Sequence, residues 1–280
     1  MKSSTQNIKV YDTEKIFELN PDMKIKMSYI GENKLPLMVI DDFYKNPELV
    51  RDLLISSPAP SITSSSNGGY PGKRVALQSF TPLKFQQSYS DILRKYFNFN
   101  FHLEHVGSTF LGNIFDGSGP ANKINNSTPH ADPGAIASIV YLNYDDEEVG
   151  GTSVYKHRES GLMFMPLSKF HLEWWVGRKA SLQNRRVSKV REEEDEKFKY
   201  YRHKIFAKNS DPKIYRDTHI LESNDEWEIL ATVESKFNRL VGYVGGTLHS
   251  AMIDFEKLSK QSHKRINQVI FMNQKQMKRR

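Results

Sequence analysis

The chain has 280 residues, of which 38% are hydrophobic and 26% charged, and it contains no cysteine. This length suits a single domain whose core is large enough to enclose a small-molecule site. The lack of cysteine excludes disulfides, zinc–thiolate sites, iron–sulfur clusters and cysteine nucleophiles. The first ten residues are polar and no long apolar run follows, so we expect a cytoplasmic protein without a membrane partner.

The net charge of +7 permits anionic partners, including nucleic acid. Much of the excess lies at the C-terminal end, in Lys275, Lys278, Arg279 and Arg280. A short basic end in contact with solvent is the interpretation that we favour. Nucleic acid is therefore the less favoured partner.

The first 98 residues are interpreted as an N-terminal support made of a strand and helices. Residues 36–43 (PLMVIDDF) predict a strand, and Asn46-Pro47 predicts the start of a helix over 47–55. Residues 56–72 are rich in Ser, Pro and Gly and predict an exposed loop. Residues 86–97 have the apolar spacing of a helix with one buried face.

Short strands separated by turns dominate the chain from about residue 99. The predicted strands are residues 105–114, 136–144, 152–157, 240–244, 247–253 and 265–273. They are rich in β-branched and aromatic residues and are bounded by Gly, Asn, Asp and Pro. This pattern predicts an antiparallel sandwich, jelly roll or barrel.

Residues 161–235 interrupt the strands. Within them, residues 185–204 are dense in charge, with apolar residues at roughly helical spacing, which predicts an inserted helical element. We favour a helix with a solvated face, since runs of charge usually lie in water. The alternative is a lid over the mouth of the sheet.

The segment around His130 and Asp132 is the first candidate ligand pair. Side chains two apart on an extended chain point to the same face, so an imidazole and a carboxylate can meet one metal ion. Pro129 and Pro133 favour an extended backbone at the residues before them. By itself, the H-x-D pattern is frequent by chance.

His249 follows the Gly245-Gly246 pair and is the third candidate ligand. Two imidazoles and one carboxylate occupy one face of an octahedron and leave three positions open, which suits iron(II) in an oxygenase. Zinc also binds this set, although the helical H-E-x-x-H pattern of many zinc enzymes is absent.

The strand over residues 265–273 (RINQVIFMN) carries a candidate anion-binding residue. Arg265, Asn267, Val269 and Phe271 share one face of this strand. If Arg265 points inward, its guanidinium is a fixed bidentate partner for a carboxylate. If it points outward, it is an ordinary residue of a surface edge.

These segments carry a resemblance to a known family. The H-x-D pair, residues 138–155 (SIVYLNYDDEEVGGTSVY), residues 238–250 (NRLVGYVGGTLHS) and the strand from Arg265 resemble the 2-oxoglutarate/iron(II)-dependent oxygenases of the prolyl-hydroxylase type. The resemblance implies a double-stranded β-helix, which is a jelly roll like that of the cupins. Its core would be residues 99–160 and 236–273, with 161–235 inserted, in one oxygenase domain over residues 1–280.

The resemblance also implies roles for the candidate residues. His130, Asp132 and His249 would hold iron(II), and Arg265 would bind the distal carboxylate of 2-oxoglutarate. Tyr141 matches a tyrosine that in some relatives hydrogen-bonds the same carboxylate, while a core aromatic is its alternative interpretation.

The position of Arg265 departs from the family pattern. It lies 16 residues after His249, a longer spacing than is usual in that family, and Lys257 and Lys260 lie nearer the usual position. We keep Arg265 because it begins a strand, and the two lysines compete for the role.

The resemblance implies a dioxygenase that consumes O2 and 2-oxoglutarate, hydroxylates or otherwise oxidises a substrate, and releases succinate and CO2. The sequence does not identify the substrate, and we favour a small molecule or a peptidyl side chain. Lys73 or Arg74 is a candidate contact for an anionic group of the substrate, unless their segment is a plain surface turn. The alternatives are a non-catalytic jelly-roll binding module and a basic nucleic-acid-binding protein.

Overall fold

The computed structural model describes residues 11–56, 61–62, 72–97, 103–115, 128–147, 149–208 and 220–274. The N-terminal segment 1–10, most of the predicted loop over 56–72 and the basic C-terminal cluster from Lys275 to Arg280 lie outside these residues. No helix of the described part is both long and apolar enough to cross a membrane.

Eleven strands are found in the described residues. They are β1 (Lys24–Ile30), β2 (Leu35–Asp41), β3 (Ser61–Ile62), β4 (Lys73–Ala76), β5 (Leu103–Phe115), β6 (Ile136–Tyr141), β7 (Thr152–His157), β8 (Trp227–Val233), β9 (Leu240–Val244), β10 (His249–Ala251) and β11 (Arg265–Gln274). Eight form a large sheet in the order β1-β2-β9-β6-β11-β5-β4-β3, and three form a small sheet in the order β10-β7-β8. Neighbouring strands are antiparallel throughout both sheets.

The same residues contain six helices. These are α1 (Thr13–Ile16), α2 (Pro47–Ser56), α3 (Leu83–Phe97), α4 (Lys169–Gln183), α5 (Val187–Lys208) and α6 (Phe255–Ser259). The helix α2 begins at Pro47, where the missing N–H of proline costs no hydrogen bond. Ser168 caps α4 by accepting a hydrogen bond from the His171 N–H, and Asn184 ends that helix in the left-handed conformation.

The two faces of the large sheet are buried in different ways. One face packs against α2 and α3, whose buried residues include Leu53, Leu54, Tyr89 and Leu93. On the other face, residues of β6 and β9 share a cluster with Val154 and Val233 of the small sheet. The prediction of a mainly β fold with flanking helices is thereby confirmed, as two antiparallel sheets packed on each other.

Residues 161–235 are only partly the helical insertion that we predicted. The helices α4 and α5 lie there, but β8 also lies in this range and pairs with β7 in the small sheet. The helix α5 is also less solvated than its charge suggests, because Glu194 is buried and accepts hydrogen bonds from Trp175 Nε1 and Lys179 Nζ of α4, both at 2.6 Å. Strand β8 escaped prediction because most of its residues are only half-buried.

Candidate metal centre

Backbone hydrogen bonds bring the segment before β6 against the start of β10. The His130 N–H donates to the His249 carbonyl at 2.9 Å, and the His249 N–H donates to the His130 carbonyl at 3.0 Å. The Asp132 N–H donates to the Gly245 carbonyl at 2.7 Å. This pairing fixes all three candidate ligands on a common frame, although 119 positions separate the two histidines in the sequence.

The side chains of these three residues converge. His249 Nε2 lies 3.1 Å from Asp132 Oδ2, and His130 Nε2 lies 3.9 Å from Asp132 Oδ1. One potential ligand atom from each residue lies within 4.8 Å of the others. Two ligands at right angles, each about 2.1 Å from an ion, are about 3 Å apart, so small rotations suffice to close this set on one cation.

Both imidazoles are held in the orientation that a metal ligand requires. His130 Nδ1 lies 2.8 Å from the Thr128 carbonyl, and His249 Nδ1 lies 2.9 Å from the Thr247 carbonyl. A carbonyl only accepts, so each Nδ1 carries a hydrogen, which leaves Nε2 as the atom that each ring turns towards Asp132 and can offer to a metal. Such outer hydrogen bonds are the usual way in which proteins orient histidine ligands.

The charge states at the centre suit a divalent cation. Burial, together with the neighbouring His249, lowers the pKa of His130 to about 4, so this imidazole is neutral at pH 7. Burial alone would raise the pKa of Asp132, but His249, His130 and Arg74 outweigh it and lower that pKa. A neutral imidazole next to an ionised carboxylate is the state that binds metal.

The Gly245-Gly246 pair is required by close packing. A Cβ on Gly245 would lie 2.0 Å from the Gly134 carbonyl oxygen, and a Cβ on Gly246 would lie 2.4 Å from the Phe164 ring. A side chain at Gly245 would therefore push the segment before His249 away from the loop that carries Asp132, and one at Gly246 would displace Phe164.

Tyr243 supports the centre and was not found from the sequence. Its ring centroid lies 4.3 Å from that of His249, and its hydroxyl donates to Asp132 Oδ2 at 3.5 Å. Burial and the Asp132 charge raise the pKa of Tyr243 well above its usual value, so it remains a hydrogen-bond donor. The sequence pattern that could have identified Tyr243 is the alternation of side chains along β9, which places Val241 and Tyr243 on the inner face.

His171 of α4 supports the same loop from the side of the insertion. Its Nδ1 accepts a hydrogen bond from the Leu167 N–H at 3.2 Å, so its Nε2 carries the hydrogen and donates to the Gly134 carbonyl at 2.8 Å. Gly134 is two residues from Asp132. The described part of the insertion therefore contacts the metal loop from behind, and none of its residues lines the cavity in front of it.

The three candidate ligands open into a cavity of about 630 Å³, counted to its open mouth. Its wall includes Arg265, Asn267, Val269 and Phe271, the four β11 residues that alternation places on one face.

Arg265 is buried in this wall, with 3% of its surface exposed. Within the described part of the chain, its Nε and Nη2 atoms have no hydrogen-bond partner. The competing lysines are elsewhere: Lys257 is exposed, and Lys260 is exposed and paired with Glu256. Of the three candidate cations, the structure brings only Arg265 to the cavity.

Tyr141 does not line the cavity. It is buried between the two sheets, and its hydroxyl donates to Thr152 Oγ1 at 2.7 Å. Burial raises its pKa to about 12. Its hydroxyl is already engaged, so this arrangement favours the core-aromatic interpretation over contact with a carboxylate.

Arg74 does line the cavity, together with Asn113. Arg74 Nε donates to Asn113 Oδ1 at 3.1 Å, and Asn113 Nδ2 donates to Asn267 Oδ1 at 3.1 Å. Lys73 is the next residue on β4, so its side chain points to the opposite face. Of the two cations that the sequence offered here, it is Arg74 that faces the candidate ligands.

A family model described as "Family of unknown function (DUF6445)" matches residues 21–171 and 180–265, which is most of the chain. No curated protein matches. One similar solved structure is a prolyl 4-hydroxylase from Phytophthora capsici, at 12% identity and a TM-score of 0.38, which covers 85% of this chain and 58% of that one. The chain thus spans a little over half of that structure, and at this TM-score the likeness settles neither fold nor function.

Proposed function

We propose a function for this chain, which belongs to the family of unknown function DUF6445, from the chemistry of its own cavity. It is an iron(II)- and 2-oxoglutarate-dependent dioxygenase that hydroxylates, or otherwise oxidises, an organic substrate. One oxygen atom of O2 enters the substrate, the other enters succinate, and CO2 is released.

The observation that carries the proposal is the pairing of two features in one cavity. The first is the set of His130, Asp132 and His249, whose ligand atoms lie within 4.8 Å of one another. The second is the buried guanidinium of Arg265, whose Nε and Nη2 atoms lack a partner among the described residues. A site for a divalent metal alone would need only the three ligands. The buried guanidinium of Arg265 is explained if a cosubstrate with a carboxylate binds beside the metal.

The residues present fit iron(II). Two neutral imidazoles and a carboxylate are a suitable ligand set for non-haem iron, and they leave positions for a bidentate cosubstrate and O2. Both Nδ1 atoms donate to backbone carbonyls, so the Nε2 atoms are the ones available to a metal. Zinc accepts the same ligands, so the identity of the metal is part of the test.

The residues present also fit 2-oxoglutarate. A buried, unpaired guanidinium is costly unless an anion joins it, and a carboxylate matches its planar geometry with two parallel hydrogen bonds. Arg265 opens β11 on the same face as Asn267 and Val269, at the cavity wall. We therefore assign the distal carboxylate of 2-oxoglutarate to Arg265.

The sheet arrangement is compatible with a double-stranded β-helix, and we propose that finer description. Candidate ligands at the small sheet and the loop before β6 face an arginine on the large sheet, so the cavity lies between two antiparallel layers. That is where a jelly-roll fold offers a ligand site.

Each group of the chain has a separate task in this reaction. Bound iron(II), with 2-oxoglutarate as the source of two electrons, supplies the activation of O2. His130, Asp132 and His249 set the facial geometry, and Tyr243 holds the Asp132 carboxylate by its hydroxyl. Arg265 orients the cosubstrate by its distal end.

Apolar side chains separate the two polar ends of the cavity. Ile139, Val269 and Phe271 line the wall. Because they offer no hydrogen bonds to water, they favour a dry site, in which electrostatic contacts are stronger and side reactions with water are reduced.

The test is an anaerobic titration of the protein with iron(II) and 2-oxoglutarate, followed by visible absorption. We expect a metal-to-ligand charge-transfer band in the wild type and no band in His249→Ala. Admission of O2 should then release succinate in proportion to the 2-oxoglutarate consumed.

Three further results distinguish an iron-dependent oxygenase from a zinc protein and from a non-catalytic binding module. Zinc(II) in place of iron(II) should bind without a visible band and without succinate release. Absence of the band in the folded wild-type protein would remove the oxygenase proposal. A band without succinate, over a broad substrate screen, would favour the non-catalytic binding module.

A further inference from the structure

Asn143 holds the backbone on both sides of Arg265. Its Oδ1 accepts a hydrogen bond from the Ile266 N–H at 2.6 Å, and its Nδ2 donates to the Lys264 carbonyl at 2.7 Å. These two groups belong to the peptide units that join Arg265 to its neighbours. Asn143 is buried, with 3% of its surface exposed. One buried side chain therefore fixes both peptide units around the arginine.

This contact replaces a hydrogen bond of the regular sheet. The ladder between β6 and β11 continues past the end of β6, where the Leu142 N–H donates to the Ile266 carbonyl at 3.0 Å. In a regular antiparallel ladder, the Ile266 N–H would donate to the Leu142 carbonyl in return. That carbonyl accepts instead from Arg51 Nη1 of α2, and the Ile266 N–H turns to Asn143. A side chain thus takes over from the strand at the position of Arg265.

The orientation of the Asn143 amide is itself fixed. Its Nδ2 also donates to Glu147 Oε2 at 2.9 Å, so its nitrogen faces two acceptors and its oxygen faces a donor. A reversed amide would bring its oxygen against a carbonyl and a carboxylate. Glu147 is held in turn by Arg51, whose Nη1 and Nη2 donate to its two oxygens at 3.0 and 2.9 Å. This network joins α2 to the start of β11.

The Arg265 side chain depends on such a frame. Its Nε and Nη2 atoms have no hydrogen-bond partner in the described part of the chain, so they do not hold the guanidinium in place. Peptide units are planar, so two fixed units determine the φ and ψ angles of the residue between them and the direction in which its side chain leaves the backbone. A guanidinium that starts from a fixed backbone loses less entropy when it binds an anion.

We propose that Asn143 is a positioning residue of the cosubstrate site, which directs Arg265 to the distal carboxylate of a dicarboxylic 2-oxo acid; this inference rests on the proposed function. Asn143 does not line the cavity, so it contacts neither the metal position nor the cosubstrate. Its effect is confined to the carboxylate that Arg265 binds. The chelating end of the cosubstrate, which binds the metal, is outside its reach.

The first arm of the test compares two 2-oxo acids in the iron(II)-loaded protein without O2. Pyruvate has the same chelating group as 2-oxoglutarate but lacks the distal carboxylate. The charge-transfer band gives the dissociation constant of each. We expect Asn143→Ala to bind 2-oxoglutarate about tenfold more weakly, the lower end of the range for residues that orient a ligand group from behind. Its affinities for pyruvate and iron(II) should stay within about threefold of wild type.

Asn238→Ala is the matched control for loss of stability. Asn238 is also buried and also holds the backbone by its amide, because its Oδ1 accepts from the Tyr44 N–H and its Nδ2 donates to the Tyr44 carbonyl, both at 2.8 Å. It does not line the cavity. Its φ of 61° disfavours alanine, so its melting temperature should fall at least as far as that of Asn143→Ala. Its affinity for 2-oxoglutarate should nevertheless equal that of wild type.

The second arm combines Asn143→Ala with Arg265→Met. If Asn143 acts through Arg265, the double variant should bind 2-oxoglutarate within about threefold of Arg265→Met alone, because the two changes remove the same contact. Glu147→Ala is the milder variant, since the Glu147 side chain is 16% exposed, and it decides the question if Asn143→Ala does not fold. We expect it to lose about two- to fivefold in affinity for 2-oxoglutarate and none for pyruvate.

Three results would each overturn the positioning role alone. The first is unchanged affinity for 2-oxoglutarate in Asn143→Ala, or in Glu147→Ala if the former does not fold. The second is an equal loss of affinity for pyruvate, and the third is losses that multiply in the double variant. Absence of the charge-transfer band in the wild type would instead overturn the oxygenase function and the positioning role together.

Discussion

The two ends of the cavity satisfy their polar groups in opposite ways. At the metal end, the Nδ1 atoms of His130 and His249 donate to carbonyls of the chain, and Asp132 is contacted by Tyr243. At the arginine end, Nε and Nη2 of Arg265 have no partner among the described residues. The first end is organised before any ligand binds, whereas we propose that an anion completes the second.

This difference predicts how substitutions separate metal binding from cosubstrate binding. A change at the metal end should reduce the affinity for iron and, through it, for 2-oxoglutarate. A change at the arginine end should reduce only the affinity for 2-oxoglutarate and spare the fold, because Nε and Nη2 of Arg265 make no hydrogen bond within the described residues.

Asp132→Ala should have the largest effect. It removes the only carboxylate among the three candidate ligands, so we expect the affinity for iron(II) to fall by at least about 100-fold, with loss of the charge-transfer band. Asp91→Ala, which removes an exposed carboxylate on α3, is the control and should bind iron as wild type does. Retention of tight iron binding by Asp132→Ala would place the metal elsewhere.

Arg265→Met should have the next largest effect. The affinity for 2-oxoglutarate should fall by about 10- to 100-fold, the range for losing one charge-assisted contact, while iron(II) binding stays within about threefold. Without ligands, the melting temperature should not fall, since an apolar chain of similar length replaces an unpaired buried charge. Lys260→Met on the surface is the control. If Arg265→Met lost as much affinity for iron(II) as for 2-oxoglutarate, the metal end and the arginine end of the cavity would not act independently.

His171→Leu should have a moderate effect, and it tests the support of the metal loop from α4. The change removes the hydrogen bond to the Gly134 carbonyl and leaves that carbonyl buried. We expect a loss of about 1–3 kcal/mol in the free energy of unfolding and about tenfold in iron affinity. Equal stability loss with unchanged iron affinity would limit His171 to a role in folding.

Tyr243→Phe should have the smallest effect on iron. Its hydrogen bond to Asp132 is long, at 3.5 Å, so we expect a two- to fivefold loss, below the range of about 10- to 100-fold for ordinary outer-shell partners. The matched variant is Tyr141→Phe, whose hydroxyl contacts Thr152 instead. It should leave iron affinity unchanged and lower the free energy of unfolding by about 1 kcal/mol. A loss of iron affinity in Tyr141→Phe but not in Tyr243→Phe would contradict the roles that the structure gives these tyrosines.

Local sequence patterns were enough to predict many of the strands and helices. The β-branched and aromatic residues of β6, β7, β9 and β11, bounded by turn residues, predicted these strands to within a few residues, and Asn46-Pro47 predicted the start of α2. Strand β1 was missed because two of its three exposed positions carry lysines, and most of β8 is half-buried, so neither has the apolar density of a central strand.

The cavity wall depended on information that local patterns lack. Alternation put Arg265 and Asn267 on one face, but only sheet pairing tells which strands border the cavity. Tyr243 reaches Asp132 because β9 pairs with β6, about 100 residues away in the sequence, while Tyr141 of β6 is directed to Thr152. Likewise, Arg74 rather than Lys73 faces the site because of the register between β4 and β5.

The most direct measurement is a diffraction experiment on crystals grown without O2 in the presence of iron(II) and 2-oxoglutarate, with data at the iron absorption edge. The account predicts one anomalous peak bound by His130 Nε2, His249 Nε2 and an Asp132 oxygen, with the distal carboxylate of 2-oxoglutarate on Arg265. Iron at any other position, or that carboxylate on Lys257 or Lys260, would contradict it.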